Sequence, residues 1–318
     1  MSKVGAILLT TDSAGALPGF ETEKHPFIHV KPGEVVWNGM QTEEPLDPRE
    51  RQLFFKNAEV NEKTSGLIED PRWYWADSIA DVSIEHDAIF VFAPHEQIFE
   101  QQITEIVKAQ VLQKTHYIEF FRRHTRQSGK LKTFTVKTHN WFAGVGLVAW
   151  QAQQVLMKQD PNRSVSLAQI KLLFEQLSAR TRTFSIMPCH QLHPFTRDQI
   201  LEQSMVDKLR GNMGRNKWIS FELGHKTNLV GERESLQQHL NDFLSTLNAQ
   251  IIDKRMAFSR LIISCSNEQM AELKSNPAFL QMDKLQKAEG FKWLHQPAPI
   301  TAQILTGKDA IHFSYSLK

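Results

Sequence analysis

Short apolar runs alternate along this chain with segments of helical periodicity, and that alternation restricts the folds that it can adopt. Apolar runs span Val4–Leu9, His86–Phe92 and Phe134–Val136, and helical patterns cover Trp73–Ile84 and Gly144–Met157. A continuous apolar run bounded by polar residues suits a central strand that is covered on both faces. The alternation therefore predicts βαβ units and a mostly parallel sheet in the first half of the chain.

The second half of the chain continues the alternation, from a helix predicted to start at Ser166 to a last strand at Ile311–Ser316. The best linker between the halves is Asp160–Asn162, which reads Asp-Pro-Asn. A chain of 318 residues is long enough for two domains of ordinary size. We therefore expect an α/β fold of two lobes, residues 1–160 and 161–318, with a ligand cleft between them.

Composition narrows the class of protein. The chain is 41% hydrophobic and 23% charged, and its net charge of +2 gives no general argument for nucleic-acid binding. No apolar run approaches the roughly 18 residues of a membrane helix, and Val4–Leu9 is too short for a signal-peptide core. Cys189 and Cys265 lie far apart in the sequence and are predicted to be free thiols. These features favour the cytoplasm.

One segment is strongly basic. Lys114–Lys137 holds seven lysines and arginines against the single acid Glu119. The stretch Arg122–Lys137 could dock an acidic partner, or the segment could be the solvated end of a helix and its following loop. Both interpretations are open from the sequence.

Polar residues follow the first predicted strand at the point where ligands collect in parallel sheets. Asp12 and Ser13 come directly after Val4–Leu9 and a pair of threonines. Their side chains could line the crevice at the carboxyl ends of the strands. They could equally cap the next segment and satisfy loop amides.

No sequence motif indicates catalysis, a cofactor or a metal. Phosphate-binding glycine loops and the G-x-S-x-G nucleophile turn are absent, and we ascribe Gly144 and Gly146 to close helix–strand packing. The pattern Cys189-His190-x-x-His193 lacks the further ligands that zinc needs, so we predict no metal site. No catalytic residue is nominated, because no nucleophile has its own base. A hydrolase or phosphotransfer enzyme that uses Asp12 and Ser13 is the minor alternative.

Four segments, in chain order, resemble motifs of the DegV family of lipid-binding proteins. They are TTDSAGALP (Thr10–Pro18), KTSG (Lys63–Gly66), NWFAGVGLVAWQAQQVL (Asn140–Leu156) and ITAQILTGKDAIHFSY (Ile300–Tyr315). The resemblance implies two α/β lobes that hold one long-chain fatty acid between them, as a ligand and not as a cofactor. It also implies, as in some bacteria, a separate kinase partner that phosphorylates the fatty-acid carboxylate.

The resemblance also suggests where the lipid headgroup would lie. The candidate ligand-binding residues are Asp12, Ser13, Thr64, Ser65, His95, Thr306 and Gly307. Thr64 and Ser65 stand where the family has the threonine that bonds the lipid carboxylate. His95 belongs to a substituted loop and is placed here as a source of charge.

The chain departs from the family pattern in this same region. Gly66 replaces a glutamine, the loop Ala93–Phe99 lacks the family's carboxylate-binding serine, and Leu305 replaces a histidine. Either the pocket has been rebuilt around a different amphiphile, or the scaffold has lost ligand binding. The leading hypothesis is a lipid-binding protein without catalysis of its own, and the alternative is an interaction or regulatory protein on the same scaffold.

Overall fold

The structure is a computed structural model that describes residues 5–21, 24–31, 33–37, 40–57, 65–67, 72–86, 88–94, 131–158, 166–193, 196, 217–224 and 228–318. The strands are β1 Ala6–Thr10, β2 Ile28–Lys31, β3 Glu34–Trp37, β4 Met40–Glu43, β5 Ser65–Leu67, β6 Ala88–Ala93, β7 Lys132–Lys137, β8 Thr181–Pro188, β9 Trp218–Leu223, β10 Asn228–Arg233, β11 Arg260–Ser264, β12 Lys292–Gln296 and β13 Ile311–Ser316. The helices are α1 Thr11–Ala14, α2 Pro48–Asn57, α3 Arg72–Ser83, α4 Ala143–Met157, α5 Leu167–Arg180, α6 Leu236–Ile252, α7 Asn267–Ser275, α8 Pro277–Glu289 and α9 Ile300–Thr306.

Sheet I contains β2, β1, β6 and β7 in that order, and every pairing in it is parallel. Its central strands are apolar without interruption because both of their faces are covered. Ile7 and Phe90 face the large central core, whereas Leu8 and Val91 face a smaller apolar cluster on the other side. The prediction of a mostly parallel N-terminal sheet is confirmed.

Sheet II contains β10, β9, β8, β13, β11 and β12 in that order. All of its pairings are antiparallel except that of β11 with β12. Successive side chains of β8 and β13 point to opposite faces of the sheet, so one face is apolar and the other is polar. Phe184 and Phe313 pack in the apolar cluster that includes α6, while Ser185 and His312 point to the opposite face.

Helix α4 packs against strands of both sheets and thereby joins them. Two glycines allow its close approach. A Cβ atom at Gly144 would lie 2.1 Å from the Thr183 hydroxyl of β8, and one at Gly146 would lie 2.4 Å from the Ser13 carbonyl oxygen of α1. The predicted helix–strand packing is confirmed at Gly144, whereas Gly146 packs against the helix α1.

Sheet III is a small antiparallel sheet of β4, β3 and β5, and its strand β5 contacts α9. Within the motif Lys63–Gly66, Ser65 and Gly66 belong to β5, which pairs with β3. Within the described ranges, no helix is long and apolar enough to cross a membrane.

Helix boundaries follow the capping residues. Ser166 and Ser266 each form a capping box with the glutamine three residues later, and the helix predicted to start at Ser166 is confirmed. Asn228–Arg233 forms β10 and Ser235 caps α6, so this helix begins at Leu236.

Candidate functional site

The polar turn after β1 is buried. Asp12 and Ser13 lie in α1, and both side chains are almost completely shielded from solvent. Burial raises the pKa of the Asp12 carboxyl, against hydrogen bonds with Thr10 and backbone N–H groups and the charge of Lys31. One carboxylate oxygen of Asp12, Oδ2, has no hydrogen-bond partner among the described residues. The carboxylate is therefore a buried polar group with unused capacity.

Lys31 lies beside this turn because of strand register. It ends β2, and it pairs in register with Thr10 at the end of the parallel strand β1. Both residues thus lie at the carboxyl edge of sheet I, the edge at which parallel sheets bind ligands. Burial lowers the pKa of Lys31 to about 8, and the charges of Asp12 and Glu34 oppose this shift.

A second pair of buried charges, Glu44 and Arg51, adjoins Asp12. Burial raises the pKa of Glu44 to about 7; the charge of Asp12 adds to the shift and that of Arg51 opposes it. Burial likewise lowers the pKa of Arg51 to about 10 against the attraction of nearby carboxylates. Asp12, Lys31, Glu44 and Arg51 are at most 5% exposed. We call these four residues the buried charge cluster.

Glu44 ties this cluster to helix α9. The Thr301 backbone N–H donates to Glu44 Oε1 at 2.9 Å, and the Thr301 hydroxyl donates to Oε2 at 2.6 Å. A carboxylate at this position satisfies one backbone donor of the first turn that would otherwise lack a partner. Each Glu44 oxygen therefore accepts a hydrogen bond from Thr301 of α9.

Arg51 is fully buried, and only part of its guanidinium has hydrogen-bond partners among the described residues. Its Nη1 group donates to the Leu46 carbonyl oxygen at 2.8 Å. Its Nε and Nη2 groups have no hydrogen-bond partner in the described part of the chain. A buried guanidinium with unused donors is costly, because each such donor loses its hydration without replacement.

Thr306 and Gly307 end α9, and both are enclosed by the protein. The Thr306 hydroxyl donates to the Ala302 carbonyl oxygen at 2.6 Å. A Cβ atom at Gly307 would lie 2.4 Å from Cβ of Gln191, and Gly307 has a positive φ of 93° that favours glycine. The Thr306 hydroxyl thus already has protein partners. The predicted headgroup role of Thr306 and Gly307 stays a prediction.

One of those partners is His312, which belongs to a directed chain of hydrogen bonds. Trp141 Nε1 donates to Ser185 Oγ at 3.1 Å, and Ser185 Oγ lies 2.8 Å from His312 Nδ1. His312 Nε2 lies 3.2 Å from Thr306 Oγ1. Because Thr306 already donates to Ala302, Nε2 carries the His312 proton and Nδ1 accepts from Ser185. Burial lowers the pKa of His312 to about 3, so the ring is neutral.

This serine–histidine contact is part of the core. Ser185 and His312 are 0% and 1% exposed, respectively. Three cross-strand polar pairs form hydrogen bonds on this face of β8 and β13: Ser185–His312, Thr183–Ser314 and Thr181–Ser316. The pairs stabilise the face of sheet II that meets α4.

The structure brings several of the predicted site segments together. Helix α9, which holds Thr306, contacts both α1, which holds Asp12 and Ser13, and β5, which holds Ser65. Thr64 and His95 lie outside the described residues. So does most of the basic segment Lys114–Lys137.

The sequence analysis missed Lys31, Glu44 and Arg51. A signal was available for Arg51, because it precedes Phe54 by three residues in α2 and therefore shares its buried face. No cluster of metal-binding side chains occurs among the residues that the structure describes.

No protein-family model matches the sequence, and no curated protein matches it. Several solved structures match its fold over their whole length. DegV of Bacillus subtilis, a fatty acid binding protein, is 13% identical with a TM-score of 0.72, and the match covers 100% of both chains. A DegV family protein of Eubacterium eligens loaded with heptadecanoic acid is 13% identical with a TM-score of 0.65, covering 99% of this chain and 100% of that one.

A third match is the Fatty Acid Kinase (Fak) B3 protein of Streptococcus pneumoniae, loaded with linoleic acid. It is 9% identical to this chain, with a TM-score of 0.61 and coverage of 99% of this chain and 100% of that one. At such low identity, the agreement is one of fold. The chain therefore has the fold of the DegV family of fatty-acid-binding proteins.

Proposed function

We propose that this chain is a divergent DegV family member that binds a long-chain fatty acid or a similar amphiphile. The observation that carries the proposal is the full-length match of fold to proteins that bind heptadecanoic and linoleic acid. In this account the protein is a cytoplasmic carrier without catalysis or cofactor of its own. The headgroup lies near α1, β5 and α9, between the two lobes.

A kinase partner is the second part of the proposal. The Streptococcus pneumoniae structure is a component of a fatty acid kinase, and its fold covers nearly all of this chain. We infer that this chain likewise presents the carboxylate of its lipid to a separate kinase. Co-purification of a kinase subunit with the tagged chain, and lipid phosphorylation by the pair, would support this part.

Lipid extraction tests the carrier function. The protein is purified without detergent, denatured and extracted with organic solvent, and the extract is analysed by mass spectrometry. We expect one fatty acid or related amphiphile per chain. An empty extract from folded protein, together with no binding of added fatty acid, would refute the proposal.

The alternative is an interaction protein on the same scaffold. The observation in its favour is that Leu305 stands where the family has a histidine, while Thr306 is engaged by Ala302 and His312. In this case Arg122, Arg123 and Arg126 would dock an acidic partner. Charge reversal at these three arginines would then abolish partner capture, and unchanged capture would count against it.

A further inference from the structure

The free edge of Arg51 has the geometry of a carboxylate receptor. Nε and Nη2 are neighbours on one side of the planar guanidinium, and these are the two groups without a partner among the described residues. Two parallel N–H groups on one edge match the two oxygens of a carboxylate. Nη1, on the other side, is held by the Leu46 carbonyl oxygen at 2.8 Å, which fixes the orientation of the group.

Three carboxylates lie near enough for their charges to act on Arg51. Each of them either accepts hydrogen bonds from another residue or is exposed. Glu44 accepts from Thr301 at both of its oxygens. Asp47 is exposed and accepts from the Arg49 backbone N–H at 2.8 Å, and Glu21 is also exposed. No hydrogen bond in the described part of the chain joins any of them to Nε or Nη2. Within the described ranges these two N–H groups therefore lack an acceptor, which an anion from outside the chain would supply.

The surroundings of Arg51 suit an amphiphile better than a small hydrophilic anion. Arg51 shares a helix face with Phe54, which belongs to a buried apolar cluster with Val35, Ile300 and Ile304. An ion pair between a guanidinium and a carboxylate is stronger where apolar groups exclude water. A ligand whose headgroup bound Arg51 would bring its acyl part beside this cluster.

We infer that Arg51 binds the carboxylate of the lipid through Nε and Nη2 and takes the place of the family contacts that this chain lacks. The inference rests on the proposed function. It assigns a headgroup residue that the sequence motifs do not mark.

The test compares palmitate with hexadecanol, which differ in the headgroup alone, by titration calorimetry or a fluorescent displacement assay. Wild type is expected to bind palmitate about tenfold to a hundredfold more tightly than hexadecanol, as expected for a charged hydrogen-bonded pair. Arg51→Met should lose most of that preference by weakening palmitate binding, with hexadecanol binding changed less than about threefold. The matched control is Arg49→Met, which removes an exposed charge from the same helix and should change neither affinity.

Arg51→Lys keeps the inference testable if Arg51→Met fails to fold. Lysine retains the charge without the two-pronged edge, so palmitate binding should weaken about tenfold. Palmitate binding by the folded variants at wild-type affinity would overturn the inference and leave the carrier function intact. Equal affinity of wild type for palmitate and hexadecanol would likewise overturn the inference and leave the carrier function intact. A wild type that binds neither probe and carries no lipid would refute the proposed function and this inference together.

Discussion

At the scale of single residues, burial shifts the pKa of two titratable groups in opposite directions: that of Glu44 rises and that of His312 falls. Burial favours the protonated acid at Glu44 and the neutral ring at His312. Each group therefore links folding to pH, but the stability that depends on Glu44 is lost as pH rises and the stability that depends on His312 is lost as pH falls. Each effect is measurable with a variant that keeps the hydrogen bonds.

Glu44→Gln should become more stable relative to wild type as pH rises from 5 to 7. The folded-state pKa of Glu44 is about 7, against 4.5 for an ordinary glutamate, so folded wild type holds a proton that the unfolded chain has lost. The free energy of unfolding of wild type then falls by up to about 1.4 kcal/mol per pH unit in this window. Glutamine does not titrate, and its amide can bond both the N–H and the hydroxyl of Thr301. Urea unfolding across this pH range, with the exposed neighbour Glu43→Gln as control, checks the expectation; a stability difference that is constant with pH would contradict it.

His312→Gln should lose its disadvantage as pH falls. The folded-state pKa of His312 is about 3, against 6.5 for an ordinary histidine, so the unfolded chain binds a proton that the folded chain refuses. Wild type therefore loses up to about 1.4 kcal/mol of stability per pH unit below 6.5. The variant is expected to be less stable at pH 7.5, and the gap should narrow between pH 6.5 and 5. A variant at the exposed His190, His190→Gln, should show no such narrowing; an identical trend in both variants would argue against a neutral buried ring at His312.

At the scale of secondary-structure elements, α4 joins the two large sheets, because it packs against strands of both. Its first turns approach β8 at Gly144 and α1 at Gly146. The sequence indicated both the helix and the packing role of its glycines. It did not indicate the partner of each glycine, because these partners, Thr183 in β8 and Ser13 in α1, lie in distant parts of the chain.

Gly146→Ala should destabilise the protein by about 1–3 kcal/mol, because the new methyl group would meet the backbone of α1. The nearest atoms are the Ser13 carbonyl oxygen at 2.4 Å and Leu17 Cγ at 2.8 Å, and the carbonyl cannot rotate away. At an unhindered helical site the same change would be stabilising by about 1 kcal/mol. Thermal unfolding is the measurement. Gly231→Ala is the comparison, since its nearest atom is the flexible end of Arg233 at 3.3 Å; an equal loss of stability in the two variants would contradict the close packing of α4.

At the scale of the whole molecule, the sequence predicted most of the architecture. The apolar runs of β1 and β6 and the serine caps of α5 and α7 are local signals, so they could be interpreted without the fold. Helix α8 was missed although Asn276 caps it and Pro277 opens it, because it follows α7 without a loop. The assignment of residues 1–160 and 161–318 to separate lobes stays a prediction.

The candidate site was less predictable than the fold. Asp12 and Ser13 could be found because they directly follow a strand. Glu44 could not, because its hydrogen-bond partner Thr301 lies 257 residues further along the chain. Lys31 and Arg51 are charged residues in buried positions, which sequence patterns assign to the surface by default. Only the packing of α1, α2 and α9 shows that these charges meet.

The central claim is that the chain carries one lipid with a free carboxylate. Native mass spectrometry of gently purified wild type and Arg51→Met tests it most directly, because it counts the lipid on intact protein. We predict a mass increase of one fatty acid on wild type and a largely empty Arg51→Met variant with unchanged fold. A folded wild type that is empty and stays empty after incubation with palmitate would contradict the account.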